Sequence, residues 1–110
     1  GLKGRVMKQI WSGSLGLGGR INIPELPYYN AIGVRSNTYG IMLFGLRYTP
    51  GNNQIHFSAA GDNGTSHFMI MGSFTNVSGT SLLYIGGCYH NLTDGAVTAL
   101  TEINTIYGIL

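Results

Sequence analysis

Short runs of alternating apolar and polar residues dominate the chain and predict β-strands rather than helices. The clearest run is QIHFSAAG, residues 54–61, in which Ile55, Phe57 and Ala59 alternate with residues suited to a solvent-facing side. Similar runs recur along the chain, separated by turns that contain Gly, Pro, Asn or Asp. We predict strands over residues 6–11, 20–25, 29–36, 41–48, 54–61, 67–77 and 82–92.

The closing run TALTEINTIYGIL, residues 98–110, has two interpretations. Its first half could form a helix from Thr98 through Ile103, but Thr, Ile and Tyr dominate it and favour a terminal strand. Turns then fall every eight to twelve residues or so, a spacing typical of sandwiches, jelly rolls and small barrels. We predict one all-β domain over residues 1–110, an antiparallel β-sandwich or jelly roll of about seven to eight strands.

Two runs are apolar at both alternating sets of positions. They are IMLFGLRY, residues 41–48, and FMIMGSF, residues 68–74. A strand of this kind is expected to be buried on both faces. Such strands suit a chain that covers part of its surface with copies of itself, so we expect a homo-oligomer.

Composition narrows the choice of partners. Charged residues make up only 9% of the chain, against roughly 25% in an average soluble domain. The six basic residues are scattered and give a net charge of +2, so no basic patch exists for nucleic acid. No apolar run approaches the roughly 20 residues of a membrane-spanning helix, and we expect no membrane insertion. The first residue is Gly1 rather than Met, from which we expect a C-terminal fragment of a longer protein.

The glycine-rich stretch SGSLGLGG, residues 12–19, raises the question of a phosphate-binding loop. Counting from Gly16, the third position is Gly18 but the sixth is Ile21, so the dinucleotide fingerprint fails. A Gly-Lys-Ser or Gly-Lys-Thr triplet is also missing, and the residues after Gly19 alternate as a strand would. We interpret the stretch as a wide hairpin loop and expect no cofactor.

Catalytic and metal-binding patterns are weak. The chain has no Gly-x-Ser-x-Gly motif, and its carboxylates at Asp62 and Asp94 lie in turn sequences, where Asp bonds to the local backbone. His56 and His67 could pair across a hairpin with Asp62 at its tip, but no Cys pair or His-x-x-x-His motif supports them. We expect no enzyme and no metal site, with Cys88 a small buried apolar side chain. A glycan-modifying hydrolase is the less favoured alternative.

Aromatic, imidazole and amide groups give the most informative signal. Tyrosine and tryptophan rings stack on sugars, while Asn, Asp and His bond to sugar hydroxyls. Such groups are densest in CYHNLTDG, residues 88–95, and in HFSAAGDNGTSH, residues 56–67. The alternative is that the Asn and Asp residues serve turn geometry alone. The candidate ligand-binding residues are Trp11, His56, Asp62, His67, Tyr89, His90, Asn91 and Asp94.

The segments VMKQIWSGSL and INIPELPYYNAIGV, together with the closing INTIYGIL, carry a family resemblance. The chain resembles the C-terminal receptor-binding or baseplate domains of tail fibre and minor structural proteins from phages of Gram-positive bacteria. The residues concerned are the strand entering Trp11-Ser12-Gly13, the Ile23–Leu26 segment with Tyr29 after it, and Ile106–Ile109. These patches lie at the two ends of the chain and leave its middle unmatched.

The resemblance implies a β-sandwich or jelly-roll domain, often trimeric, at the far end of a virion appendage. There it would attach the phage to host cell-wall saccharide and contact other tail or baseplate proteins. Some members of the family serve instead as baseplate scaffold, which gives the alternative function of structural assembly. The family offers no single catalytic motif to transfer, and its sugar sites vary too much to be mapped onto individual residues.

Overall fold

A computed structural model describes residues 7–46 and 53–110, apart from the side chain of Val77. About 67% of these residues lie in strands, and none of them lies in an α-helix. The strands are β1 (Met7–Gly16), β2 (Arg20–Asn22), β3 (Ala31–Arg35), β4 (Met42–Leu46), β5 (Gln54–Asp62), β6 (His67–Ser78), β7 (Ser81–Asn91), β8 (Val97–Ala99) and β9 (Glu102–Ile109). The prediction of an all-β, antiparallel fold is confirmed.

All the strands belong to one curled sheet. Its order is β1-β9-β3-β4-β5-β6-β7-β2, and β8 lies off this path as a second neighbour of β7. β2 pairs with Ser81–Leu83 and β8 with Cys88–His90, so the two short strands share one edge of β7. Strands that are far apart in sequence therefore meet, and the two ends of the described chain lie side by side in β1 and β9.

The curl of the sheet encloses one hydrophobic core. Side chains alternate as β geometry requires, so that Ile55 and Phe57 on β5 are buried while His56 and Ser58 are exposed. Throughout, we call the solvent side of the sheet its outer face. The core residues are Leu15, Ile23, Leu26, Ile32, Val34, Leu43, Ile55, Phe57, Ile70, Phe74, Leu82, Tyr84, Leu100, Ile103 and Ile106.

The two predicted hairpins in the middle of the chain are confirmed. β5 pairs with β6 from Gln54–Thr75 to Asp62–His67, and β6 pairs with β7 as far as Phe68–Asn91. The terminal-strand interpretation is also confirmed, although the run divides into β8 and β9 around Leu100. The Tyr84 hydroxyl donates to the Leu100 carbonyl, which fixes this break against β7.

The interpretation of the glycine-rich stretch as a wide hairpin loop is wrong. β1 continues to Gly16, and the strands on either side of the turn pair with β9 and β7 rather than with each other. The remaining turn is short because Gly18 adopts a φ of 79° and Gly19 packs closely, where a Cβ atom would lie 2.6 Å from Leu15 Cδ1.

The prediction that residues 41–48 are buried on both faces is wrong for the part that the structure describes. Leu43 is buried, but Phe44 is 54% exposed and Leu46 is 68% exposed. Residues 47 and 48 of that run lie outside the described residues. Nothing in the described chain covers the outer face of β4, so its apolar side chains meet solvent.

Candidate functional site

Two turns meet at one end of the β5–β6–β7 hairpins. The Leu92 amide donates to the carbonyl of His67 at 2.8 Å, and the His67 amide donates to the Thr93 hydroxyl at 3.0 Å. Residues 62–67 and 90–97 therefore form one surface, which we call the loop rim. Of the candidate residues, the structure brings together Asp62, His67, His90, Asn91 and Asp94 on this rim.

The acidic side chains of the loop rim hold their own turns in place. Asp62 Oδ1 accepts from the Gly64 amide at 2.7 Å, and Asp94 Oδ1 accepts from the Ala96 amide at 2.8 Å. These are the local bonds that Asp forms in turns, and neither of them uses the second carboxylate oxygen. Turn geometry therefore accounts for one oxygen of each residue.

Asn91 plays the same structural part at the end of β7. Its Oδ1 accepts from the amides of Thr93 and Asp94 at 2.9 and 3.2 Å, and its own amide donates to the Ala96 carbonyl at 2.9 Å. Side chain and main chain together close the turn. The backbone of the loop rim is consequently tied at several points rather than free to rearrange.

An imidazole and a carboxylate stand side by side on the rim surface. His67 Nδ1 lies 3.7 Å from Asp62 Oδ2, and both side chains are mostly exposed. A pair in this setting contributes little to stability because water screens it. It does place an imidazole, which can donate or accept a hydrogen bond, beside a carboxylate, which accepts one, and both groups stand at the end of a hairpin.

Apolar side chains that the sequence reasoning missed lie beside these polar groups. Leu92 is 51% exposed at the turn, and Val97, which opposes His90 in the β7–β8 pairing, is 62% exposed. Their signal was weak because single apolar residues in a turn or at a strand end are common. With them, the rim combines polar and apolar contacts.

An aromatic stack lies behind the rim on the core side. The Tyr89 ring is 5.0 Å from Tyr39 and 5.3 Å from Phe68, with interplanar angles of 11° and 21°. Burial, more than the neighbouring Tyr89 and Cys88, raises the pKa of the Tyr39 hydroxyl. Tyr89 therefore stacks on protein rings and supports the rim. Sequence could not reveal the stack, because its members come from three distant segments.

His56 lies away from the rim, near the other end of β5. It opposes Ser73, and its Nδ1 shares a 2.6 Å hydrogen bond with the Ser73 hydroxyl. His67 instead opposes Asp62, so the two histidines do not meet across the hairpin. The residues between them on β5 and β6 separate them by several steps of the register.

Trp11 is also remote from the rim in the strand order. It opposes Ile106 in the β1–β9 pairing and is half-buried against the core. Its ring covers Gly13, where a Cβ atom would lie 2.9 Å from Trp11 Cζ2. The tryptophan thus packs on its own strand.

An apolar depression of about 570 Å³ marks the outer face of the sheet. The residues that line it come from β3, β4, β5 and β9, and include the exposed Phe44 and Leu46 described above. They are Ala31, Phe44, Gly45, Leu46, His56 and Ile109. Its walls offer one imidazole and otherwise hydrocarbon, so it suits an apolar surface better than a sugar.

No family model, curated protein or solved structure matches the chain, so the resemblance to phage tail and baseplate domains stays a prediction. Within the described ranges, no helix is long and apolar enough to span a bilayer.

Proposed function

We propose that this chain is a tail or baseplate domain of a phage virion that binds host cell-wall saccharide without catalysis. The observation that carries the proposal is the loop rim, where exposed polar side chains stand on turns tied by their own hydrogen bonds. Sugar hydroxyls are recognised by donors and acceptors at fixed positions, and a preorganised surface loses less entropy on binding.

The ligand groups are assigned from their exposure. Asp62 and His67 supply an acceptor and an imidazole to neighbouring sugar hydroxyls. Leu92 and Val97 contact the C–H face of the ring in place of an aromatic platform. Asn91 and Asp94 shape the turn, with the outward oxygen of Asp94 as a further acceptor.

We propose that copies of the domain assemble as a trimer through the outer face around Phe44 and Leu46. Large exposed apolar side chains on a contiguous surface mark protein–protein contacts. We also interpret the curled sheet as a sandwich. Its support is the β4–β5 pairing, which has a single registered pair, Phe44 with Ser58, and would mark the bend between β1-β9-β3-β4 and the remaining strands of the one sheet.

Binding of the purified domain to an array of Gram-positive cell-wall polysaccharides tests the saccharide proposal. We expect His67→Ala to weaken binding by roughly tenfold, as loss of one or two hydrogen bonds to a ligand would. Asp62→Asn is preferred to Ala because it keeps the acceptor for the Gly64 amide. His56→Ala is the matched control, because it removes an exposed histidine from the same hairpin but away from the rim.

The outcomes separate the possibilities clearly. If binding survives His67→Ala and Asp62→Asn but is lost in His56→Ala, the saccharide site does not lie on the loop rim. A wild-type domain that binds no polysaccharide on the array, even when assembled, would contradict the saccharide proposal as a whole.

A structural baseplate assembly domain is the second candidate, and the apolar depression on the outer face favours it. Light scattering tests the assembly step. Leu46→Ser should reduce the solution mass of the oligomer, whereas Leu17→Ser, at an equally exposed leucine in the β1–β2 turn, should not. A monomeric wild-type domain would refute the trimer.

A further inference from the structure

Four metal-ligating side chains form one block on the outer face of β6 and β7. Met71 opposes Cys88, and Met69 opposes His90. Residues two apart on a strand share a face, so these two cross-strand pairs are adjacent rows of the same surface. We call this set the sulfur block.

The inner neighbours of the sulfur block fix its orientation. Ile70, between the two methionines, is buried in the core, and Tyr89, between Cys88 and His90, packs against the core. The side chains of the sulfur block, which flank these two residues on each strand, therefore project outward. Cys88 is a half-buried free thiol on the outer face rather than the buried core residue expected from sequence.

Strand geometry brings the four groups within reach of one ion. Directly opposed Cβ atoms lie about 5 Å apart and successive rows about 7 Å apart, so the centre of the block is roughly 4 Å from each Cβ. A sulfur atom sits about 2 to 3 Å beyond its Cβ and binds a metal at about 2.3 Å. The flexible methionine side chains can adjust to that centre.

The donor set is chemically distinctive. Two thioethers and a thiolate are soft donors of the kind that select monovalent copper, and imidazole is a common copper ligand. Among the described residues, no three His, Cys, Asp or Glu side chains group together, so the usual zinc ligand sets are not formed there. The expectation of no metal considered only those residue types and left thioethers out.

We propose that the sulfur block binds one Cu(I) ion. Cys88 is the anionic ligand: its thiol releases a proton to solvent, and the resulting thiolate neutralises the charge of the ion. Met69 and Met71 add thioether sulfurs, and His90 adds a neutral imidazole nitrogen. The step involves no change of oxidation state, because the ion arrives as Cu(I).

The surroundings leave the block open. Ser58 opposes Met71 and Ala60 opposes Met69 on β5, while Ala99 opposes Cys88 on β8, and all three are small. An open depression of about 330 Å³ borders both methionines. An ion can therefore reach the sulfur atoms from solvent.

Charge does not oppose a cation at this position. The described outer face carries two exposed arginines: Arg35 on β3 lies three strands from β6, roughly 14 Å at the usual strand spacing, and Arg20 on β2 opposes Leu83, five residues along β7 from Cys88, roughly 15 Å away. Asp62, which opposes His67 one row beyond Met69, adds a negative charge on the near side.

Methionine-methyl NMR with Ag(I), a redox-inert monovalent probe, tests the proposal directly. In the full chain labelled at methionine methyl groups, one equivalent of Ag(I) should shift the Met69 and Met71 signals and leave those of Met7 and Met42 unchanged. Native mass spectrometry should show one ion per chain. Unshifted Met69 and Met71 signals at one equivalent would overturn the site without any variant.

Competition with a Cu(I) chelator then tests each ligand. Exchanging both Met69 and Met71 for Leu keeps volume and should weaken binding at least roughly tenfold, a loss that even outer-shell changes cause in metal sites. Met42→Leu is the matched control and should have no effect. If Cys88→Ser abolishes binding while the double Leu variant binds as tightly as the wild type, Cys88 acts as a lone thiol and the proposal fails.

Discussion

Replacing Tyr84 by Phe measures how much one buried hydroxyl group, which holds the break between β8 and β9 against the core, contributes to stability. The Tyr84 side chain is fully buried, its ring is 5.9 Å from Phe74, and its hydroxyl donates to the Leu100 carbonyl. Phenylalanine keeps the ring and removes only the hydroxyl. The change therefore isolates one buried hydrogen bond.

Two magnitudes follow from this environment. Leaving the buried Leu100 carbonyl without its donor costs about 1 to 2 kcal/mol in the free energy of unfolding. Burial, and to a lesser degree Cys88, raises the pKa of Tyr84 from 10.0 to about 12. At about 1.4 kcal/mol per pH unit, the native preference for the protonated hydroxyl amounts to about 3 kcal/mol.

The sign of the pH effect follows from proton binding. Below pH 10.0, the ordinary pKa, both the folded and the unfolded chain keep the Tyr84 proton, so the contribution is fully present. Between that value and a pH of about 12, the unfolded chain has lost the proton and the native chain retains it. Stability therefore falls as pH rises through this window in the wild type, and the Phe variant lacks that part of the loss.

Urea unfolding followed by circular dichroism measures the difference. We expect the Phe variant to be less stable by about 1 to 2 kcal/mol at about pH 8 and equal to the wild type near pH 11. The other tyrosines and the lysines titrate in both proteins and cancel in the comparison. A difference that stays the same from about pH 8 to about pH 11 would refute the assignment of the raised pKa to Tyr84.

Two further predictions concern other parts of the sheet. Gly45→Ala places a methyl group against the backbone carbonyl of His56 and should lower the free energy of unfolding, measured in urea, by about 1 to 3 kcal/mol. Gly79→Ala is the control: a Cβ atom there would have nothing within 4 Å, so the free energy of unfolding should change by less than about 0.5 kcal/mol. Equal effects of the two variants would argue against the close approach of β4 and β5. A hydrogen bond from Ser14, and to a lesser degree one from Asn104, lowers the pKa of Glu102 from 4.5, so wild-type stability should fall as the pH drops from that value through the lower folded pKa. Glu102→Gln should flatten this part of a plot of stability against pH. An unchanged profile would contradict the hydrogen bonds to Glu102.

Local patterns predicted the central hairpins well. The period of two in residues 54–61 placed Ile55 and Phe57 in the core, and the Asp and Asn residues at the hairpin end marked the turns that their own side chains close. Both signals act between residues close in sequence, where strand geometry and turn hydrogen bonds leave few alternatives.

Long-range pairing was beyond such patterns. Nothing in the first strand indicates β9 as its partner, and nothing near Tyr39 indicates a stack with Tyr89. Residues 41–48 show a second limit. The sequence does not show whether an outward-facing apolar residue is covered by its own chain or by another molecule. Phe44 was therefore expected to be buried, although it is exposed.

The two proposed surfaces, the outer face around Phe44 and the loop rim, differ in whether they carry charged residues. The rows of the outer face that contain Leu46 and Phe44 carry no Lys, Arg, Asp or Glu on β1, β9, β3, β4 and β5, whereas Asp62 stands at the rim. A charge-free face can be covered by another copy without removing an ion from water, and a polar rim can bind sugar while the face is covered. Leu46→Ser should therefore change assembly and spare the affinity of each rim for saccharide, while His67→Ala should do the reverse. If both variants altered both properties together, the rim and the face would have to act as one surface.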